Sequence, residues 1–166
     1  GFLSWMRDFT LSAGYIEECR LLALPLGTTQ ALDTVGAVLT DSAGVVRYEV
    51  ARVLSWAYAS QDSLDAWVGS IDQTLADTTI VGDRKAGWLL ARAAADRARS
   101  IYSSPLAGKT YIEQALAAAT SENLKLTCVE TLATGYVSAE KYQQAWAILT
   151  NVEGRFQLPE SLVKLE

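Results

Sequence analysis

The sequence predicts an all-α chain, built as an array of antiparallel helix hairpins with about eight helices. Three observations lead there. Apolar residues recur at spacings of three and four along most of the chain. Alanine and leucine dominate, while proline occurs only at Pro25, Pro105 and Pro159. Strand-like alternation is nearly absent, and its best instance, "TTIVG", is short, bounded by Gly82, and reads as a loop. The alternative arrangement of the same helices is a compact irregular bundle.

The elements follow in order. "FLSWMRDF" puts Phe2, Trp5, Met6 and Phe9 on one helical face. Thr10 can cap "LSAGYIEECRLLAL", which Pro25 and Gly27 stop, and Thr28 opens "TTQALDTVGAVLT" with Leu32, Val35 and Leu39 aligned. "VVRYEVARVLSWAYAS" carries Val46, Val50, Val53, Leu54, Ala57 and Tyr58 on a wide stripe. Asp62 and Ser63 are cap residues for "LDAWVGSIDQTLAD". Asp83 caps "RKAGWLLARAAADRARSIY", which "SSPLAG" ends; "TYIEQALAAAT" follows, and then "SENLKLTCVETLATGYVS" from a cap at Ser121 or Glu122. "EKYQQAWAILTNV" closes the last pair, and a short helix is expected after Pro159. The expected hairpins are 10–41, 45–77, 83–120 and 122–153, within one domain spanning 1–166. The first residue is Gly1 rather than methionine and the last two are "LE", so the chain reads as a fragment of a longer one, or as a mature region with its leader removed.

The totals narrow the function classes. Half of the residues are apolar and a fifth charged, as in a soluble globular chain of 166 residues able to bury a core without metal or disulfide. The net charge of -5 argues against a nucleic-acid partner and against an anionic membrane surface. No apolar run is long enough to span a bilayer. Cys19 and Cys128 each lie in a helical pattern and read as small buried hydrophobes. The compartment stays open between the cytoplasm and export.

Self-similarity suggests a repeat. The pattern L-small-x-x-Y occurs as "LSAGY", "LSWAY" and "LATGY", headed by Leu11, Leu54 and Leu132, at intervals of 43 and 78 residues. The longer interval holds about two units, and the middle one offers "LARAA", with Leu90, Ala91 and Ala94. The last hairpin resembles a tetratricopeptide repeat through Val129, Leu132, Ala133 and Tyr136, then Tyr142, Ala145, Leu149 and Pro159. The resemblance covers about 30 residues well and about 110 loosely. Val129 replaces the family's first tryptophan, and the connection at 104–109 is longer than its standard turn. The resemblance implies a right-handed superhelix whose first helices line a concave surface that binds peptides or partner proteins.

Catalytic patterns are scarce. The chain has no histidine, so Ser-His-Asp and Cys-His arrangements are excluded. There is no C-x-x-C, no P-loop and no G-x-G-x-x-G. Asp62 and Asp65 read as helix-start acids, and no cofactor is implied. An enzyme using converging carboxylates is the least favoured alternative.

The strongest binding pattern is the stripe Lys85, Trp88, Arg92, Asp96 and Arg99. Aligning Leu54, Leu90 and Leu132 carries the groove-facing positions across units. They fall on Glu49, Arg52, Trp56, Ala59 and Ser60, on Lys85, Trp88, Arg92, Ala95 and Asp96, and on Thr127, Glu130, Thr134, Val137 and Ser138. Arg52, Trp56, Lys85, Trp88, Arg92, Glu130 and Thr134 are therefore the expected ligand contacts. Arginines beside tryptophans suit an acidic peptide. The same residues also suit a solvated face with an Arg92–Asp96 pair and tryptophans that fill interhelix seams. The function expected is a noncatalytic scaffold for a protein or peptide; the alternative is self-association through Phe2, Trp5, Met6 and Phe9.

Overall fold

A computed structural model describes residues 36–152, except Gln61 and Ile101. The described residues are all-α, with six helices and one isolated bridge. The hairpin expected at 10–41 lies almost wholly outside them, as do Cys19, the Phe2–Phe9 face and the segment after Pro159.

The helix expected through Thr40 does not reach it. Residues 37–47 form a tight turn, with Thr40 and Val46 in an antiparallel bridge. The cause is local: Asp41 Oδ1 accepts from the amides of Ala43 at 2.8 Å and Val45 at 3.0 Å, and Gly44 takes a φ of 78°. Arg47 Nη1 locks the turn by donating to the carbonyls of Val38 and Thr40.

Helix α1 then runs Tyr48–Ser60, and α2 runs Leu64–Leu75. Asp62 does not cap α2 as expected; it ends α1. It holds a left-handed φ of 55° while the Ser63 amide reaches back to Tyr58 O at 2.9 Å. The stretch "TTIVG" is a turn, tied by Asp77 Oδ1 to the amide and hydroxyl of Thr79.

Helix α3, Gly82–Ala98, buries Ala86, Gly87, Ala91, Ala93, Ala94, Ala95 and Ala98 with only two large residues, Leu89 and Leu90. Neighbours can therefore come close. A Cβ on Gly87 would stand 2.8 Å from Val46 N, and one on Gly108 2.7 Å from Ala93 Cα. The helix stops at Ala98, short of the expected Tyr102. Arg97 folds the connection back, with Nε donating to Ala107 O at 3.1 Å and Nη2 to Pro105 O at 3.2 Å.

Helices α4 (Lys109–Ala118), α5 (Glu122–Ser138) and α6 (Tyr142–Val152) complete the order. Ser121 caps α5, accepting from the Leu124 amide at 3.3 Å. Asp83 serves a different helix junction from the one expected: Oδ1 accepts from the amides of Thr120 at 2.7 Å and Ser121 at 3.1 Å, tying the start of α3 to the α4–α5 turn. Helix α5 ends as α1 does. Glu140 takes a φ of 58°, and the Lys141 amide reaches back to Tyr136 O at 2.8 Å.

Every substantial helix contact joins elements one or two apart in sequence: α1 with α2 and α3, α2 with α3, α3 with α4 and α5, α4 with α5, and α5 with α6. One cluster holds Leu39, Val46, Val50, Val53, Leu54 and Ile71. A second runs from Tyr48 through Leu90 and Ile112 to Cys128 and Leu132, and a third joins Val129, Ala133 and Leu149.

Candidate functional site

The residues expected to share a groove are divided between two faces. Arg92 Nε donates to Asp72 Oδ1 on α2 at 2.9 Å, its Nη1 pairs with Asp96, and its guanidinium lies 4.8 Å from the Tyr111 ring centroid on α4. Burial alone would lower its pKa; Asp96 and Asp72 outweigh that and raise it. Arg92 is thus a clamp across α2, α3 and α4. Arg99 extends the same face, meeting Asp65 Oδ1 on α2 at 3.0 Å. Lys85 is exposed on α3.

Arg52 faces elsewhere. Its guanidinium stands 5.6 Å from the Tyr48 ring centroid. Its pKa is lowered chiefly by burial, and the α3 charge that adds to this is Arg97, not Arg92. Arg92 and Arg97 are five residues apart, about 140° around a helix. The stripe and Arg52 therefore lie on different sides of α3.

The tryptophans fill seams. Trp56 packs against the cluster of Leu64, Val68, Ala95 and Ala98. Trp88 packs against the separate cluster containing Val50, Val53 and Ile71. Trp67, outside the expected set, stacks on Tyr58 at 5.3 Å and donates from Nε1 to Ser55 Oγ at 3.1 Å. Glu130 and Thr134 are exposed on α5.

What the structure does assemble is a junction of α1, α3 and α5. Tyr48 and Arg52 come from α1, and Arg97 from α3. A Cβ on Gly135 of α5 would lie 3.4 Å from Arg97 Nη2 and 2.8 Å from Pro105 O. Sequence reasoning passed over Arg97 and Tyr48. One signal was present: Arg97 follows Leu90 by seven residues, on the core-lining side of α3 rather than along the charged stripe. The junction holds no nucleophile beside a base. The nearby thiol, Cys128, is buried, which pushes its pKa up to about 12. Its chemistry is that of hydrogen-bond donation and positive charge.

Among the described residues, no group of three His, Cys, Asp or Glu side chains is placed to hold a metal ion, and no helix is long and apolar enough to cross a membrane. Compared with known families, curated proteins and solved structures, the chain matches none.

Proposed function

We propose that this chain is a noncatalytic scaffold of stacked hairpins, similar to a tetratricopeptide array, that binds a peptide or partner protein across α1, α3 and α5. The observation that carries the reading is the shared ending of α1 and α5. Each has its left-handed acidic residue four positions after the tyrosine of the L-small-x-x-Y pattern, Tyr58 to Asp62 and Tyr136 to Glu140. Two helices that close alike at matching positions are what a repeat produces. Packing confined to sequence neighbours supports the same reading, since stacked hairpins touch only adjacent units. In such a superhelix the first helix of each pair lines the concave side, and α1, α3 and α5 are those helices.

The absence of histidine and the engagement of Asp65, Asp72 and Asp96 in ion pairs support a binding role over an acid–base one. The net charge supports a protein partner over nucleic acid.

The test is selection from a displayed random-peptide library, followed by amide-shift mapping of a selected peptide. Shifts concentrated on Arg52, Trp56, Arg97, Thr127 and Thr134 support the reading. Shifts on Lys85, Arg92 and Asp96, or no selected peptide, overturn it.

Self-association is the second reading, favoured by Tyr142 and Trp146, which are 61% and 45% exposed on α6. A concentration series by light scattering decides it. A monomer throughout removes this reading.

A further inference from the structure

Tyr48 is 7% exposed, and its hydroxyl is enclosed without a hydrogen-bond partner. Folded proteins rarely leave a buried hydroxyl in that state. Arg52 lies over the same ring at 5.6 Å. Arg97 projects from α3 beside Ala93 and Ala94, which belong to the cluster that holds Tyr48. Its guanidinium is fixed by two carbonyls, Ala107 O and Pro105 O, and not by a carboxylate. The two guanidiniums repel one another, and one carboxylate, Glu49 on α1, opposes that repulsion at Arg52. Like charges held close, beside a hydroxyl with an open donor, become an attractive site once an anion lies between them.

We propose that the junction of Tyr48, Arg52 and Arg97 receives one oxyanion of a bound peptide, the carboxylate of an acidic side chain or the phosphate of a phosphorylated one. The inference rests on the peptide-scaffold reading and specifies its ligand. Arg97 is held in place by the α3–α4 connection and supplies the rigid donor. Arg52, lifting from the Tyr48 ring, supplies the second and uncovers the hydroxyl as the third. The structure thereby relates an unsatisfied group in the free protein to a contact made in the complex.

The test uses the full chain and two small probes, inorganic phosphate and acetate, with arginine Nε–Hε resonances as readout. The expected result is saturable shifts at Arg52 and Arg97, with Arg47, Arg84 and Arg99 unmoved. Arg52→Gln should weaken the response about tenfold or more, as loss of a charge-assisted hydrogen bond does. Tyr48→Phe should weaken it too, while leaving the unfolding midpoint unchanged or raised, a combination that a purely structural tyrosine would not give. A stronger response to phosphate points to a phosphorylated peptide, and a response to acetate alone to an acidic one. No saturable shift, or equal shifts at all arginines, overturns the proposal. If selected peptides bind but carry no acidic or phosphorylated residue, this inference fails and the scaffold stands. If phosphate binds here and no peptide does, the scaffold fails and the anion site stands.

Discussion

Gly108 offers the sharpest test of how closely the helices approach. Its φ is 77°, and an added Cβ would meet Ala93 Cα at 2.7 Å and Ala93 Cβ and O at 2.8 Å. Gly108→Ala therefore carries two costs. The left-handed backbone costs about 1–2 kcal/mol for an L-residue. Moving the α3 backbone out of overlap adds about 1–3 kcal/mol. Gly82 provides the control, because its φ is 60° but its Cβ would meet only Thr120 Cγ2, at 3.9 Å. Gly82→Ala should cost the first amount alone. Urea unfolding should show the Gly108 variant less stable than the Gly82 variant by about 1–3 kcal/mol, at constant m-value. In thermal unfolding that difference is about 2–4 °C for each kcal/mol. Equal losses in the two variants would refute the close crossing of α3 and the α3–α4 connection.

The other predictions concern single side chains. Gly69 is exposed on α2 with nothing within 4 Å of an added Cβ, so Gly69→Ala should stabilise by about 0.5–1 kcal/mol in the same urea assay. Burial acts to raise the pKa of Asp83, but the Thr120 and Ser121 amides outweigh it, and the net shift is downward. A depressed folded pKa stabilises fully above the unfolded value of about 4 and is lost as pH falls through the folded value. Asp83→Ala should therefore cost about 1 kcal/mol at neutral pH, discounted for solvent, and the gap from the parent should close below about pH 3. Arg92→Ala should cost about 1–3 kcal/mol through Asp72, Asp96 and Tyr111, Arg92→Lys should restore little of it, and peptide affinity should stay unchanged in both. With its thiol buried and its pKa near 12, Cys128 in a Cys19→Ser background should resist iodoacetamide until urea unfolds the chain.

Helical periodicity was legible because each helix buries one stripe, and α1, α2 and α4–α6 lie close to where spacing placed them. Junctions were less legible. Asp41, Asp62 and Asp83 all resemble N-caps in sequence, yet they close a turn, end a helix and bind a distant junction. Their roles depend on which amides the tertiary fold brings near, and spacing does not encode that. The groove failed for a related reason. Ala94 stands where Tyr58 and Tyr136 stand, so the register of the middle unit rested on one leucine. An error of one or two residues turns a helix by about 100–200°. That is enough to set Arg92 against α2 and α4 while Arg97 turns toward α1 and α5.

Helix α3 explains why the charges matter as much as the core. Seven of its nine buried residues are alanine or glycine, so it can be approached from many sides but offers each neighbour little area. A surface of small residues does not by itself choose its partners. The charged residues do: Arg92 reaches α2 and α4, Arg99 reaches α2, and Asp83 reaches the α4–α5 turn. Each of those groups meets a charge, an aromatic face or a pair of amides that suits it. Arg97 differs, since its recorded hydrogen bonds go to two carbonyls and its nearest charged influence is another arginine. In a helix whose other arginines near the core are matched by carboxylates, the one set beside a like charge is where an external anion gains most. The logic that fixes α3 in the fold thus also points to the face where a ligand would bind.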